Sequence, residues 1–155
     1  MLRGSSVLFL MLLASCGAPT GPGGLQIDFT ASRTSIAPGD TVVFTLTVSN
    51  RTPASVTVQG SSSCTFDWFL EDVHQVRVCT ADLHPFTFAP GEARTFTFPW
   101  AGYVDDIEGR PTALPPGAYV ARGLVDASEG QGQSDPVTVT VTGSYSALAS
   151  RSGRP

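Results

Sequence analysis

TVVFTLTVSN, residues 41–50, alternates with a period of two. Val42, Phe44, Leu46 and Val48 fall on one side, and Val43, Thr45 and Thr47 on the other. Successive side chains of a strand point to opposite faces, so this is the signature of a half-buried β-strand. The same period recurs outward in both directions. Leu25, Ile27 and Phe29 precede it. Val56 with Val58, Phe66 with Trp68 and Leu70, Val76 with Val78, Phe96 with Phe98, and Val137 with Val139 and Val141 follow it. Thr, Val and Phe dominate these runs, as a pleated, half-buried surface prefers. No stretch after residue 16 carries a helical period.

Turn residues punctuate the runs. APGD at 37–40 and APGE at 89–92 each stand just before a strand. Proline there sets the first turn dihedral and glycine takes a positive φ. EDVH, 71–74, lies between two short runs and predicts a hairpin; LPPGAY, 114–119, delivers the chain into a strand from Tyr119 to Val125. The expected fold is all-β: an antiparallel, immunoglobulin-like β-sandwich of about seven to eight strands over residues 25–142. A barrel carries the same signals.

The chain has 155 residues and a net charge of −4, and every basic residue is arginine. The arginines are scattered, so no basic stripe marks a nucleic-acid partner. The hydrophobic content suffices for a core.

The N-terminus reads as a targeting segment. Arg3 precedes the apolar run Val7–Leu13, which is too short for a span of roughly 20 residues but fits a signal-peptide core. Leu13-Ala14-Ser15-Cys16 resembles the lipobox of bacterial lipoproteins; the alternative is an ordinary secretory signal with a chance cysteine. The resemblance implies a signal peptide over 1–15 and diacylglycerol on the Cys16 thiol. It also implies cleavage before that residue and acylation of the new amine. Several acyl chains, at about 0.8 kcal/mol per buried CH₂, make a stable anchor. Gly17 rather than aspartate after the cysteine implies an outer-membrane rather than an inner-membrane destination in the envelope. GAPTGPGG, 17–24, reads as a flexible tether, and residues 143–155 as a disordered tail.

With Cys16 lipidated, Cys64 and Cys79 remain of the three cysteines. They flank the predicted hairpin, and an oxidising envelope lets them form a disulfide. Two buried thiols or a metal site are the alternatives.

The ordered set Pro38-Gly39, Asn50, Phe66-Asp67, Ala89-Pro90-Gly91-Glu92, Phe98 with Trp100, and Pro115-Pro116-Gly117-Ala118-Tyr119 resembles the BsuPI-type intracellular proteinase inhibitor domain family over about residues 33–125. That implies a β-sandwich that binds a protease. It transfers no inhibitory residue motif.

Chemistry-bearing patterns are sparse. His74, Cys79 and His84 lie near one another in sequence, but no methionine follows Met11 to complete a blue-copper set. A four-ligand zinc set needs scattered carboxylates. No G-x-S-x-G elbow and no phosphate-binding glycine loop occur. The expectation is a non-enzyme without cofactor, metal or catalytic residue. The connection 101–117 is the segment expected to bind. Asp105, Asp106 and Glu108 offer oxygen ligands of the kind Ca²⁺ takes, or form a solvated acidic loop. Arg110 followed by Pro111 is a shape a trypsin-like protease accepts while proline hinders cleavage. Trp68, Trp100 and Tyr119 read as core or corner residues, with Trp100 the one expected to be partly exposed and to touch a partner.

These observations predict a lipid-anchored, non-enzymatic binding module of the bacterial envelope. Its expected partners are the membrane and a protease or other envelope protein. The alternative is a structural, assembly or adhesion domain without inhibitory activity.

Overall fold

The computed structural model describes residues 20–144 other than 38, 76, 77, 82 and 107. The signal peptide, Cys16, Val76 and the tail from residue 145 lie outside the described residues. A short 3₁₀ turn, Pro22–Gly24, opens the body. The strands that follow are β1 (Gln26–Ala31), β2 (Ser35–Ile36), β3 (Val42–Ser49), β4 (Val56–Gln59), β5 (Phe66–Leu70) and β6 (Pro85–Phe88). They continue with β7 (Ala93–Trp100), β8 (Tyr103–Asp105), β9 (Pro111–Ala113), β10 (Gly117–Ala127), β11 (Gly130–Gln133) and β12 (Val137–Val141). The number exceeds the expected seven to eight because several are only two to four residues long.

The fold is an all-β sandwich. One sheet runs β1-β3-β7, antiparallel throughout. A second is built on the eleven-residue β10, with β5 on one edge and β11 and β12 sharing the other, and β4–β6 and β8–β9 add two-stranded antiparallel pairs. After β1 the chain crosses between sheets, and β2 pairs β12 in parallel over two residues. This is how a strand that switches sheets closes a corner. Pro99 lies in β7, which is the edge strand of its sheet, where a missing N–H breaks no ladder.

The alternation of residues 41–50 does what its period predicts. Val42, Phe44, Leu46 and Val48 are fully buried. Phe44 stacks on Phe29 at 5.2 Å and meets Trp68 at 4.7 Å. A second aromatic group gathers on Phe66, which stacks on Phe96 at 4.5 Å and meets the edge of Phe86 at 4.8 Å. Full burial of a side chain such as Phe44 or Leu46 stabilises the fold by about 1.5–3 kcal/mol. The sheets close tightly at Gly123, where a Cβ would come within 2.7 Å of Leu46 and 2.9 Å of Phe29.

The two echoing turns close alike. Asp40 N–H donates to the Ala37 carbonyl and Glu92 N–H to the Ala89 carbonyl, with Gly39 and Gly91 at φ of 95° and 77°. In each, the acidic fourth residue also receives the N–H of the first. The sequence Ala-Pro-Gly-acid is thus a self-capped turn.

Two expectations are corrected. The body begins before Leu25, because Thr20 bridges Gln26, Gly21 N–H donates to the Leu25 carbonyl and Pro22 is buried. The last residues of the presumed tether are therefore part of the fold. The hairpin expected around 71–74 also lacks its second strand among the described residues. Val78 and Leu83 are 89% and 67% exposed, and Val78–Ala81 carry no strand pairing. That segment is held by the Cys64–Cys79 disulfide and by a Ser63–Thr80 pair of hydrogen bonds at 2.9 and 3.0 Å.

Candidate functional site

The segment 101–117 is not the open loop its composition suggests. It carries a two-stranded hairpin, with β8 and β9 paired from Tyr103↔Ala113 to Asp105↔Pro111. Asp106 makes the tip. Its Oδ1 receives the N–H groups of Glu108 and Arg110, both at 2.9 Å, and its Oδ2 receives Arg110 Nε at 3.0 Å. Aspartate suits this place because its short side chain bonds to backbone two residues on. The Arg110 backbone N–H, ahead of the Arg110 guanidinium, holds the Asp106 carboxyl below the usual carboxylate range. Arg110 also pairs with Glu108, and its side chain is 71% exposed.

The expected site residues thus separate. Asp106, Glu108 and Arg110 come together, but as one another's partners, and Asp105 sits opposite Pro111 in the ladder. Among the described residues no three His, Cys, Asp or Glu side chains gather into a group able to hold a metal ion. Trp100 is corrected outright: it is 5% exposed and cannot present its ring to a partner. Its ring packs against Phe44 at 5.8 Å, Trp68 at 6.0 Å and Tyr119 at 6.3 Å, and its Nε1 donates to the Tyr103 carbonyl at 2.8 Å. A buried indole needs such an acceptor, and here it anchors the start of β8.

A groove of about 500 Å³ opens beside the hairpin, lined by Tyr103, Pro111, Leu114, Pro115, Pro116 and neighbours. Tyr103 is 38% exposed. The floor is braced from below. Tyr119 Oη donates to the Pro115 carbonyl at 2.6 Å, a tyrosine hydroxyl reaching back four residues as at a sandwich corner. Sequence reasoning found the charged tip and missed this groove, whose lining mixes Tyr103, prolines and Leu114 with Ser144. The available signal was the density of Pro and Tyr in YVDDIEGRPTALPP, 103–116. A second hollow of about 220 Å³ lies beside the disulfide, lined by Ser62, Ser63, Thr65 and Phe66, Phe86 and Phe96.

Fold and site define an immunoglobulin-like β-sandwich with a hairpin and a groove at one end. More particularly, the chain belongs to the family of unknown function DUF7974, whose pattern matches residues 23–142. No curated protein matches the sequence. Among solved structures, the chain is similar to the sporulation control protein Spo0M from Bacillus subtilis. They share 17% identity at a TM-score of 0.49, over 77% of this chain and 50% of that one. It is also similar to the β-glucosidase EmGH1 from Erythrobacter marinus, at 17% identity and a TM-score of 0.47, over 76% of this chain. The β-glucosidase from Listeria innocua in complex with isofagomine is 16% identical at a TM-score of 0.47 over 77% of this chain. The chain spans only 15% and 16% of those two enzymes.

Proposed function

We propose that the protein is a lipid-anchored, non-enzymatic binding module of the bacterial envelope that recognises another protein through the β8–β9 hairpin and its groove. The observation that carries this reading is the pairing of Cys64 with Cys79, which leaves Cys16 as the one cysteine without a cysteine partner. That residue ends the apolar run, behind Leu13-Ala14-Ser15. A disulfide belongs to an oxidising compartment, so it supports export independently of the leader. The groove supports recognition: a tyrosine and prolines beside Ser144, rigidly backed by the Trp100 and Tyr119 hydrogen bonds, give the mixed polar and apolar surface, with an aromatic, that protein interfaces have.

Within this reading, the hairpin is the element to enter a protease cleft if the target is a protease, as the BsuPI-type resemblance implies. One observation favours the structural or assembly reading without inhibition. The Arg110 guanidinium is already engaged by Asp106 and Glu108, so it must break both contacts to enter a specificity pocket.

Intact mass of protein from the membrane fraction tests the anchor. A chain starting at Cys16 with a diacylglyceryl thioether and an acylated amine is expected; an uncut, unmodified leader sinks the reading. Incubation of the domain with envelope proteases, alongside in-cell crosslinking, separates the two targets. Inhibition lost on replacing the hairpin supports the first, and stable non-protease crosslinks through Tyr103 or Pro116 support the second.

A further inference from the structure

The sandwich has two poles, and the chain enters at one of them. Gln26 faces Ser49, which faces Ala93, so the N-terminal entry, the end of β3 and the start of β7 lie together. The β10–β11 hairpin joins this pole, because a Cβ on Gly132 would meet the Gly21 Cα at 2.3 Å. The opposite pole gathers the end of β7 at Trp100, the β8–β9 hairpin and the start of β10, where Tyr119 meets Trp100. The eight residues of β7 run from one pole to the other. At about 3.3 Å per residue they separate the poles by roughly 23 Å.

Only four peptide steps separate Cys16 from Thr20, the first residue pinned to the body. An extended chain covers at most about 3.6 Å per residue, so Thr20 lies no more than about 14 Å from the Cys16 Cα. We infer that the entry pole docks against the lipid surface, and that the hairpin and its groove are thereby turned away from the membrane as the outward, partner-facing pole. This rests on the lipid anchor proposed above. The occupant of the entry pole is the bilayer surface because the tether holds that pole within about 14 Å of the anchor, a reach shorter than the roughly 23 Å between the poles.

The test uses the full-length, acylated protein in lipid vesicles bearing a surface acceptor dye. A donor dye is placed at Gln131→Cys on the entry pole or at Thr112→Cys on the hairpin. Energy transfer severalfold stronger from position 131 is expected. Inserting twenty Gly/Ser residues after Gly17 should shrink the difference. Equal transfer from the two sites, or stronger transfer from 112, in protein whose mass shows acylation overturns the inference and leaves the anchor standing. Cys16→Ser protein that still binds vesicles, or native protein lacking acyl mass, overturns the anchor itself and the inference with it.

Discussion

Asn50 and its neighbour Ser49 are both buried and polar, and their surroundings predict opposite mutational outcomes. The Asn50 amide donates to the carbonyls of Ala54 and Phe88, at 2.7 and 3.0 Å, and its Oδ1 receives Thr52 N–H and Oγ1. Its backbone N–H and carbonyl meet Glu92 and Gly91. One side chain therefore ties the end of β3 to the turn before β4 and to β6. Asn50→Ala leaves several buried groups unpaired, and a loss of about 3 kcal/mol is expected in urea unfolding. Ser49 Oγ is buried with no hydrogen-bond partner among the described residues. Ser49→Ala removes that unmet hydroxyl and should raise stability by about 1 kcal/mol. Asp106 makes a third case, at the surface. Its folded carboxyl is held below the ordinary value, so the order it gives the hairpin tip is fully present above the unfolded aspartate pKa. That order is lost as pH falls through the lowered folded value. Carboxyl-carbon NMR should titrate Asp106 below a free aspartate, with Arg110 amide exchange rising over the same acid window. Titration at the ordinary value would remove Asp106 as the organiser of the tip.

At the scale of elements, the Cys64–Cys79 bridge ties down Cys79, and Val78–Ala81 around it carry no strand pairing. The separation of 15 residues closes a loop worth about 3 kcal/mol by chain entropy. The double replacement Cys64→Ser/Cys79→Ser should lower unfolding stability by that amount. The β5–β10 register from Phe66↔Val125 to Leu70↔Ala121 should persist in amide-exchange protection, since it stands on its own pairs. A loss of that protection would show the bridge to be part of the sheet's integrity. Legibility in the sequence follows the same division. The alternating runs became β3, β7 and β12 because one period of two held over five to eight residues leaves a single register. The Tyr119 corner was readable because its acceptor is four residues away in LPPGAY. The burial of Trp100 was not legible because the rings that cover it, Phe44, Trp68 and Tyr119, come from strands distant in sequence. The β8–β9 pair escaped because three residues a side carry no measurable period, and its groove exists only once the hairpin folds back beside Pro115.

For the whole molecule, the decisive contact is the one that shortens the tether. Gly21 lies so close over Gly132 that a Cβ at position 132 would fall 2.3 Å from the Gly21 Cα and 2.7 Å from Ile27 Cδ1. The first of these is backbone and has no rotamer with which to yield, so Gly132→Ala must lift the segment 20–24 off β11. The cost should be about 1–3 kcal/mol, as for other overpacked sites, with the two sheets otherwise intact. The larger consequence concerns reach. Freed to Leu25, the linker from Cys16 grows from four steps to nine and spans about 30 Å extended, longer than the body between its poles. Proteinase K should then cleave within 20–25 in Gly132→Ala protein but spare that segment in the native chain. Gly117→Ala is the control, since a Cβ there meets nothing nearer than 3.8 Å. In the vesicle measurement, the same substitution should weaken the preference of the entry pole for the bilayer without any change to the acylated cysteine. If Gly132→Ala leaves both cleavage and orientation as they were, the N-terminal segment is not the pin that orients the sandwich on its membrane.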